Sequence, residues 1–181
     1  KDFRRVLEDK SVDAVIVATD DARIVAAVEQ FGGVVRMTRS THRTGTDRVA
    51  EIAAELACDI VVNVQGDLPL LEPDMITQAV GPLNADPAVE MSTLRRELTE
   101  VAERDNPNVV KVIVDAHGDA LFFSRSPLPY RHNDGPFYKH IGLYVYRRTF
   151  LLTLASLPQT PLEATESLEQ LRVLEHGYRI A

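Results

Sequence analysis

The residues with the strongest claim to chemistry sit just beyond short apolar runs. Asp67 ends the string Val64-Gln65-Gly66-Asp67, directly after the run Ile60 to Val64. Gly66 lets the backbone turn and a ligand come close. A single carboxylate there suits Mg²⁺, which is commonly held by one or two carboxylates plus substrate phosphates. An Asp that merely caps a turn carries the same local signature, so the tripeptide alone leaves both readings open. A second group runs from Thr38 to Arg48 and includes Thr44, Gly45 and Arg48. A hydroxyl- and arginine-rich loop feeding a helix start can bind a phosphate or a base edge. A solvated loop with a capping box accounts for the same residues.

His140, Gly142 and Tyr144 form a third group. On a strand these alternate positions share one face, while Ile141, Leu143 and Val145 face the core. Gly142 leaves a gap between a histidine and a tyrosine in which a ligand could lie, although a lone strand histidine is more often structural. The fourth group is a helix bearing Glu163, Glu166, Glu169 and Gln170, and charges of this kind usually form a solvated face. His117, His132 and His176 have no metal-like spacing. No Walker A loop, dinucleotide-binding glycine fingerprint or nucleophile elbow is present.

The elements that must position these residues alternate between strand and helix. Ala14 to Ala18, Val34 to Met37 and Ile60 to Val64 read as buried strands of the parallel-sheet kind. Asp20 and Asp21 can cap a helix with Ile24, Val28 and Phe31 on one face, ended by Gly32 and Gly33. Thr44 and Asp47 have capping-box spacing before Val49, Ile52, Ala53 and Leu56. Pro73 opens a helix carrying Ile76, Ala79, Val80 and Leu83. Val89 to Leu94 and Val109 to Val114 read as strands. His117-Gly118-Asp119 turns the chain into a hairpin strand at Leu121 to Phe123. Three prolines make Ser126 to Pro136 an extended loop. Ile141 to Tyr146 is a further strand, followed by a short helix around Phe150 to Leu154. One last helix carries Leu168, Leu171 and Leu174, and Tyr178 begins another strand. This order predicts an α/β domain with a mixed, mainly parallel sheet. It forms a single domain over 1–181, with a small hairpin-containing lobe around 109–160. Ligands in such sheets sit beyond the carboxyl ends of the strands, which points to the loops after Ala18, Met37 and Val64.

Composition narrows the function classes. The chain has 181 residues, 45% hydrophobic and 26% charged, the balance of a globular protein with a normal core. A formal net charge of -7 argues against broad binding to nucleic-acid backbones, which needs clustered Lys and Arg. A local nucleotide site remains compatible with it. Cys58 is the single cysteine, so no internal disulfide forms, which fits a reducing compartment. No apolar run approaches the roughly 18 residues of a membrane helix.

Read in order, the segments resemble one family. They are Ala18-Thr19-Asp20-Asp21, Met37-Thr38-Arg39, Gly45-Thr46-Asp47-Arg48 and Val64-Gln65-Gly66-Asp67. Then come Asn106-Pro107-Asn108-Val109-Val110-Lys111, Phe123-Ser124-Arg125, Lys139-His140-Ile141-Gly142-Leu143-Tyr144 and Leu168-Glu169-Gln170-Leu171-Arg172. The series is similar to the 3-deoxy-manno-octulosonate cytidylyltransferases, or CMP-Kdo synthetases, over essentially the whole chain. The resemblance implies a three-layer α/β/α nucleotide-diphospho-sugar transferase fold. It implies transfer of CMP from CTP to 3-deoxy-D-manno-octulosonate (Kdo), with release of pyrophosphate, for lipopolysaccharide biosynthesis. It also implies a Mg²⁺ cofactor, a cytoplasmic location and a homodimer, without nucleic-acid or membrane partners. By this resemblance Asp67 binds the metal and Gln65 contacts the sugar or ribose side. Thr44, Gly45 and Arg48 lie at the nucleotide. Arg125, His140, Tyr144, Glu169 and Gln170 line the sugar pocket, Arg125 being suited to a carboxylate.

The chain departs from the family pattern in three places. Leu68 stands where the family usually has Glu after Gln-Gly-Asp. The family's first strand with its triphosphate loop, and a further metal-binding Asp, are expected beyond Lys1 and Ala181. On that reading these 181 residues are inactive in isolation. The competing expectations are a cytidylyltransferase for another sugar acid, of amino-Kdo or sialic acid type, and a non-catalytic relative.

Overall fold

The computed structural model describes residues 12–66, 68 and 71–181. Asp67 lies outside them. Strand β1 (Ile16–Thr19) leads into helix α1 (Ala22–Gln30), and Asp21 caps α1 by accepting from Arg23 N at 2.8 Å. Its apolar positions divide: Val28 is buried, whereas Ile24 and Phe31 are exposed. Gly32, at φ +76°, turns the chain into β2 (Val34–Met37), which pairs parallel with β1. Thr44 then caps α2 (Gly45–Ala54) by accepting from Asp47 N at 3.1 Å, as the spacing predicts.

Strand β3 (Ile60–Val64) and helix α3 (Pro73–Ala85) follow at the expected places. Strand β4 spans Met91–Glu97, and a short helix α4 (Val101–Asp105) that the sequence pattern does not signal precedes β5 (Lys111–Val114). β5 and β6 (Ala120–Ser124) form an antiparallel hairpin. Asp115 Oδ1 accepts from His117 N and Asp119 N in its turn, with Gly118 at φ +99°. Strand β7 (Tyr138–Arg147) runs into α5 (Arg148–Ser156).

The single last helix of the sequence reading is two. Helix α6 (Pro161–Glu166) ends at Ser167 in the left-handed region (φ 54°), and α7 (Gln170–Glu175) starts in a new direction. Periodicity of the leucines does not register a break of this length. The segment after Tyr178 is not a regular strand, yet it bonds like one. Ala181 N donates to Met91 O, Thr93 N to Ala181 O, and Ala120 N to Ile180 O.

The α/β class and the mixed pairing hold, but the balance differs from a mainly parallel sheet. Among the described residues only β1 and β2 pair in parallel. β7 is antiparallel to β3, β4 and β5. β3 and β4 are therefore parallel to each other with β7 running back between them. Consecutive apolar runs show that strands exist but not which neighbour each takes.

Strand β7 divides the core. Leu143 and Val145 pack with Ile76, Ala79 and Leu83 of α3 on one face. Tyr146 packs with Ala50, Phe150, Leu151 and Leu171 of α2, α5 and α7 on the other. Each fully buried Leu or Phe contributes about 1.5–3 kcal/mol. Helices on both faces give the three layers. No helix is long and apolar enough to cross a membrane among the described residues.

Candidate active site

A cleft of 590 Å³ opens along the side of β7 that carries Tyr144. Gln65, Arg125, His140, Tyr144, Glu169 and Gln170 all line it, drawn from the residues just past β3 and β6, from β7 and from the start of α7. A neighbouring cavity of 450 Å³ is lined by Thr44, Arg43 and Asp47, and Glu169 and Arg172 line both. Gly45 stands at the junction: a Cβ there would lie 3.3 Å from Gln65 Oε1. Arg48 is directed elsewhere. It donates to Asp20 Oδ2 (3.0 Å) and to Thr38 Oγ1, tying the ends of β1 and β2 to α2.

Each cleft side chain is held by its surroundings. Gln65 donates from Nε2 to Asn63 Oδ1 at 3.3 Å. Arg125 is fixed through both backbone and guanidinium. Its N–H donates to Glu166 Oε2 (2.9 Å), Nε to Glu166 O (2.8 Å), Nη1 to Pro107 O (3.1 Å) and Nη2 to Ser167 O (3.4 Å). Three of the five guanidinium N–H groups are thus used, and two remain. Ser124 Oγ donates to the other oxygen of Glu166 at 2.6 Å.

Tyr144 OH donates to Gln170 Oε1 at 3.1 Å. Gln170 is buried, and its Nε2 has no hydrogen-bond partner among the described residues. A buried amide donor without a partner is costly unless a ligand oxygen meets it. Burial pushes the Glu169 carboxyl above its ordinary range, against the opposing pull of Thr46 and Arg172. Burial also pushes His140 down to about 4, so the imidazole is neutral near pH 7. The ring packs edge-on against Phe123 (5.0 Å between centroids) and beside Tyr144 (5.3 Å).

A family described as Cytidylyltransferase matches residues 3–180. The 3-deoxy-manno-octulosonate cytidylyltransferase of Geobacter metallireducens is 53% identical over 191 residues, covering 98% of this chain and 75% of its own. The enzyme of that name from Syntrophotalea carbinolica is 50% identical over 189 residues, at 98% and 76% coverage. The chain belongs to the 3-deoxy-manno-octulosonate cytidylyltransferase family. It therefore belongs to a family of nucleotidyltransferases. A solved CMP:2-keto-3-deoxy-manno-octonic acid synthetase complexed with CTP matches at TM-score 0.93 and 42% identity, covering 98% of this chain and 74% of that one. A 4-diphosphocytidyl-2C-methyl-D-erythritol synthase from Anaerococcus prevotii shares the fold at TM-score 0.59 and 15% identity, covering 97% of this chain and 73% of that one.

Leu68 borders the cleft and packs against the α3 cluster. Sequence reasoning assigned no role in the cleft to Thr46, Lys139 or Arg172. Thr46 and Lys139 line it, and Thr46 interacts with both Glu169 and buried Tyr146. Arg172 forms a buried pair with Glu163 (2.5 Å) behind Glu169. Thr46, Lys139 and Arg172 lie inside the quoted family segments, which is where a signal existed. Buried Lys111 also lies in one of those segments, and its Nζ donates to the carbonyls of Asn106, Val109 and Arg125.

Proposed function

We propose that the chain transfers CMP from CTP to Kdo, giving CMP-Kdo and pyrophosphate for lipopolysaccharide biosynthesis. The observation that carries this reading is the convergence of Gln65, Arg125, His140, Tyr144, Glu169 and Gln170 on one cleft, with a buried, unpartnered Gln170 Nε2 within it. Arg125 has two N–H groups left for the sugar carboxylate, in the planar fork that suits it. Gln170 donates to a sugar oxygen while Tyr144 holds its carbonyl end. Thr44 borders the adjoining cavity and Gly45 follows it beside Gln65, and both serve the nucleotide, with Arg48 bracing the loops that carry them. Gln65 lies between the two substrates.

In the reaction the anomeric 2-hydroxyl of Kdo attacks the α-phosphorus of CTP. A new O–P bond forms, the bond to the β-phosphate oxygen breaks, and pyrophosphate leaves. The sugar hydroxyl loses its proton to solvent. The residues around the cleft act mainly by positioning, which by itself removes several kcal/mol from a bimolecular barrier. Mg²⁺ is the proposed cofactor, with Asp67 its carboxylate; when bound, such a cation neutralises triphosphate charge. No group of three or more His, Cys, Asp or Glu converges among the described residues. The proposal includes one cytidylyltransferase domain with a hairpin lobe, acting as a cytoplasmic homodimer.

Pyrophosphate release from CTP plus Kdo with Mg²⁺ tests this function. Release that requires both substrates is expected from the chain extended to the length of its relatives, of which it covers 75%. Release with a sialic acid or an amino-Kdo in strong preference to Kdo would replace the substrate, and a result tied to Leu68→Glu would locate the cause.

A further inference from the structure

An irregularity between β4 and β7 brings a hydroxyl against the back of the cleft. Thr93 pairs with Tyr144 and Leu94 with Ile141, so one step on β4 spans three on β7. Thr93 Oγ1 fills the resulting gap. It lies 2.8 Å from Leu143 O, 3.2 Å from Ile141 O and 2.9 Å from His140 Nε2.

A threonine hydroxyl has one proton, and carbonyl oxygens only accept. Given to His140, that proton would leave Oγ1 facing two carbonyl oxygens with nothing between them. Unmet acceptors inside a protein are disfavoured. The hydroxyl therefore donates to Leu143 O and accepts from His140, which requires the imidazole proton on Nε2. A neutral imidazole then has a bare Nδ1. Burial keeps the ring neutral near pH 7. His140 lines the cleft, Nε2 is occupied by Thr93, and Nδ1 has no hydrogen-bond partner among the described residues.

We propose that Thr93 is a positioning residue that fixes His140 as its Nε2–H tautomer, so that Nδ1 meets the sugar substrate as an acceptor for one of its hydroxyl groups. The substrate half of this inference rests on the sugar-acid reading of the cleft. It carries a specificity consequence. A sugar whose hydroxyl at that point is methylated or oxidised to a carbonyl presents an acceptor to an acceptor and is rejected, because recognition by hydrogen bonding penalises the analogue that lacks the donor.

The test begins with the ligand-free full chain carrying ¹⁵N-labelled histidine. Two-bond ¹⁵N–¹H correlation spectra report the tautomer, and His140→Gln assigns the ring. The expected result is Nε2–H for His140 in the wild type and in Thr93→Ser, and a mixed or Nδ1–H ring in Thr93→Val. Steady-state kinetics should then show KM for Kdo raised about tenfold in Thr93→Val, KM for CTP unchanged, and recovery in Thr93→Ser. An Nδ1–H ring in the wild type would overturn the proposal. So would a Thr93→Val protein with unaltered tautomer and unaltered KM for Kdo. If the wild type has Nε2–H but the chain extended to the length of its relatives turns over no Kdo, the sugar-acid reading falls while the tautomer assignment is upheld, so the two failures are separable.

Discussion

Gln170 and Arg125 show how differently two residues of one cleft are prepared for a ligand. Gln170 keeps its carbonyl end on Tyr144 and leaves Nε2 unmet. Replacing it with Leu removes a donor that meets no acceptor among the described residues. The expected outcome is a fall in kcat/KM for Kdo of about 10- to 100-fold, corresponding to about 1–3 kcal/mol, with KM for CTP little changed. Arg125 instead spends three N–H groups on the carbonyls of Glu166, Pro107 and Ser167. Lysine cannot reproduce that planar fork. Arg125→Lys should lower kcat/KM for Kdo by about 100-fold or more, and steady-state kinetics at saturating CTP checks both variants. Either substitution with unchanged sugar kinetics would remove that residue from the sugar site.

The elements behind the cleft are joined by two buried cations. Arg172 of α7 pairs with Glu163 of α6 across the break at Ser167, with side chains 12% and 4% exposed. This pair sets how α7 offers Glu169 and Gln170. Arg172→Met leaves a buried carboxylate without its partner, a change that typically costs about 3–5 kcal/mol. Adding Glu163→Gln should recover part of the loss, and urea denaturation measures both. Lys111 at the start of β5 binds three carbonyls, including that of Arg125. Lys111→Met should destabilise by about 3 kcal/mol or more, at about 1–3 kcal/mol per unmet group. A fall of roughly 6–12 °C in Tm follows. A Tm within a degree of wild type would mean that those carbonyls find other partners.

At the scale of the whole molecule, acid acts on stability through groups whose folded pKa is depressed. His140 is pushed down by burial to about 4 from an ordinary 6.5. Between those values the unfolded chain binds a proton that the folded chain does not, so stability rises with pH. The contribution is complete above pH 6.5 and lost as pH falls to about 4. It amounts to about 3 kcal/mol. Glu51, held to about 2 chiefly by His42, extends the same acid sensitivity from pH 4.5 down to 2. Urea midpoints at pH 7 and pH 5 should differ more for the wild type than for His140→Gln. An equal difference would show that His140 does not carry the effect.

The sequence by itself determined the local pieces. Caps at Asp21 and Thr44, the apolar runs of β1, β2 and β3, and the turn at Gly118 are all set by covalent neighbours within a few residues. The residues of the cleft were nameable for the same reason, since each sits in a short recognisable segment. Tertiary structure decided the rest. It ran β7 antiparallel between β3 and β4, broke the last helix at Ser167, and turned Arg48 toward Asp20 and Thr38. It joined Lys111 to Arg125, Arg172 to Glu163, and Thr93 to His140 through an irregular strand pair. These contacts bridge as many as 47 positions in sequence. No local period encodes them, because they are fixed only when both faces of β7 are packed and every buried donor and acceptor must find a partner.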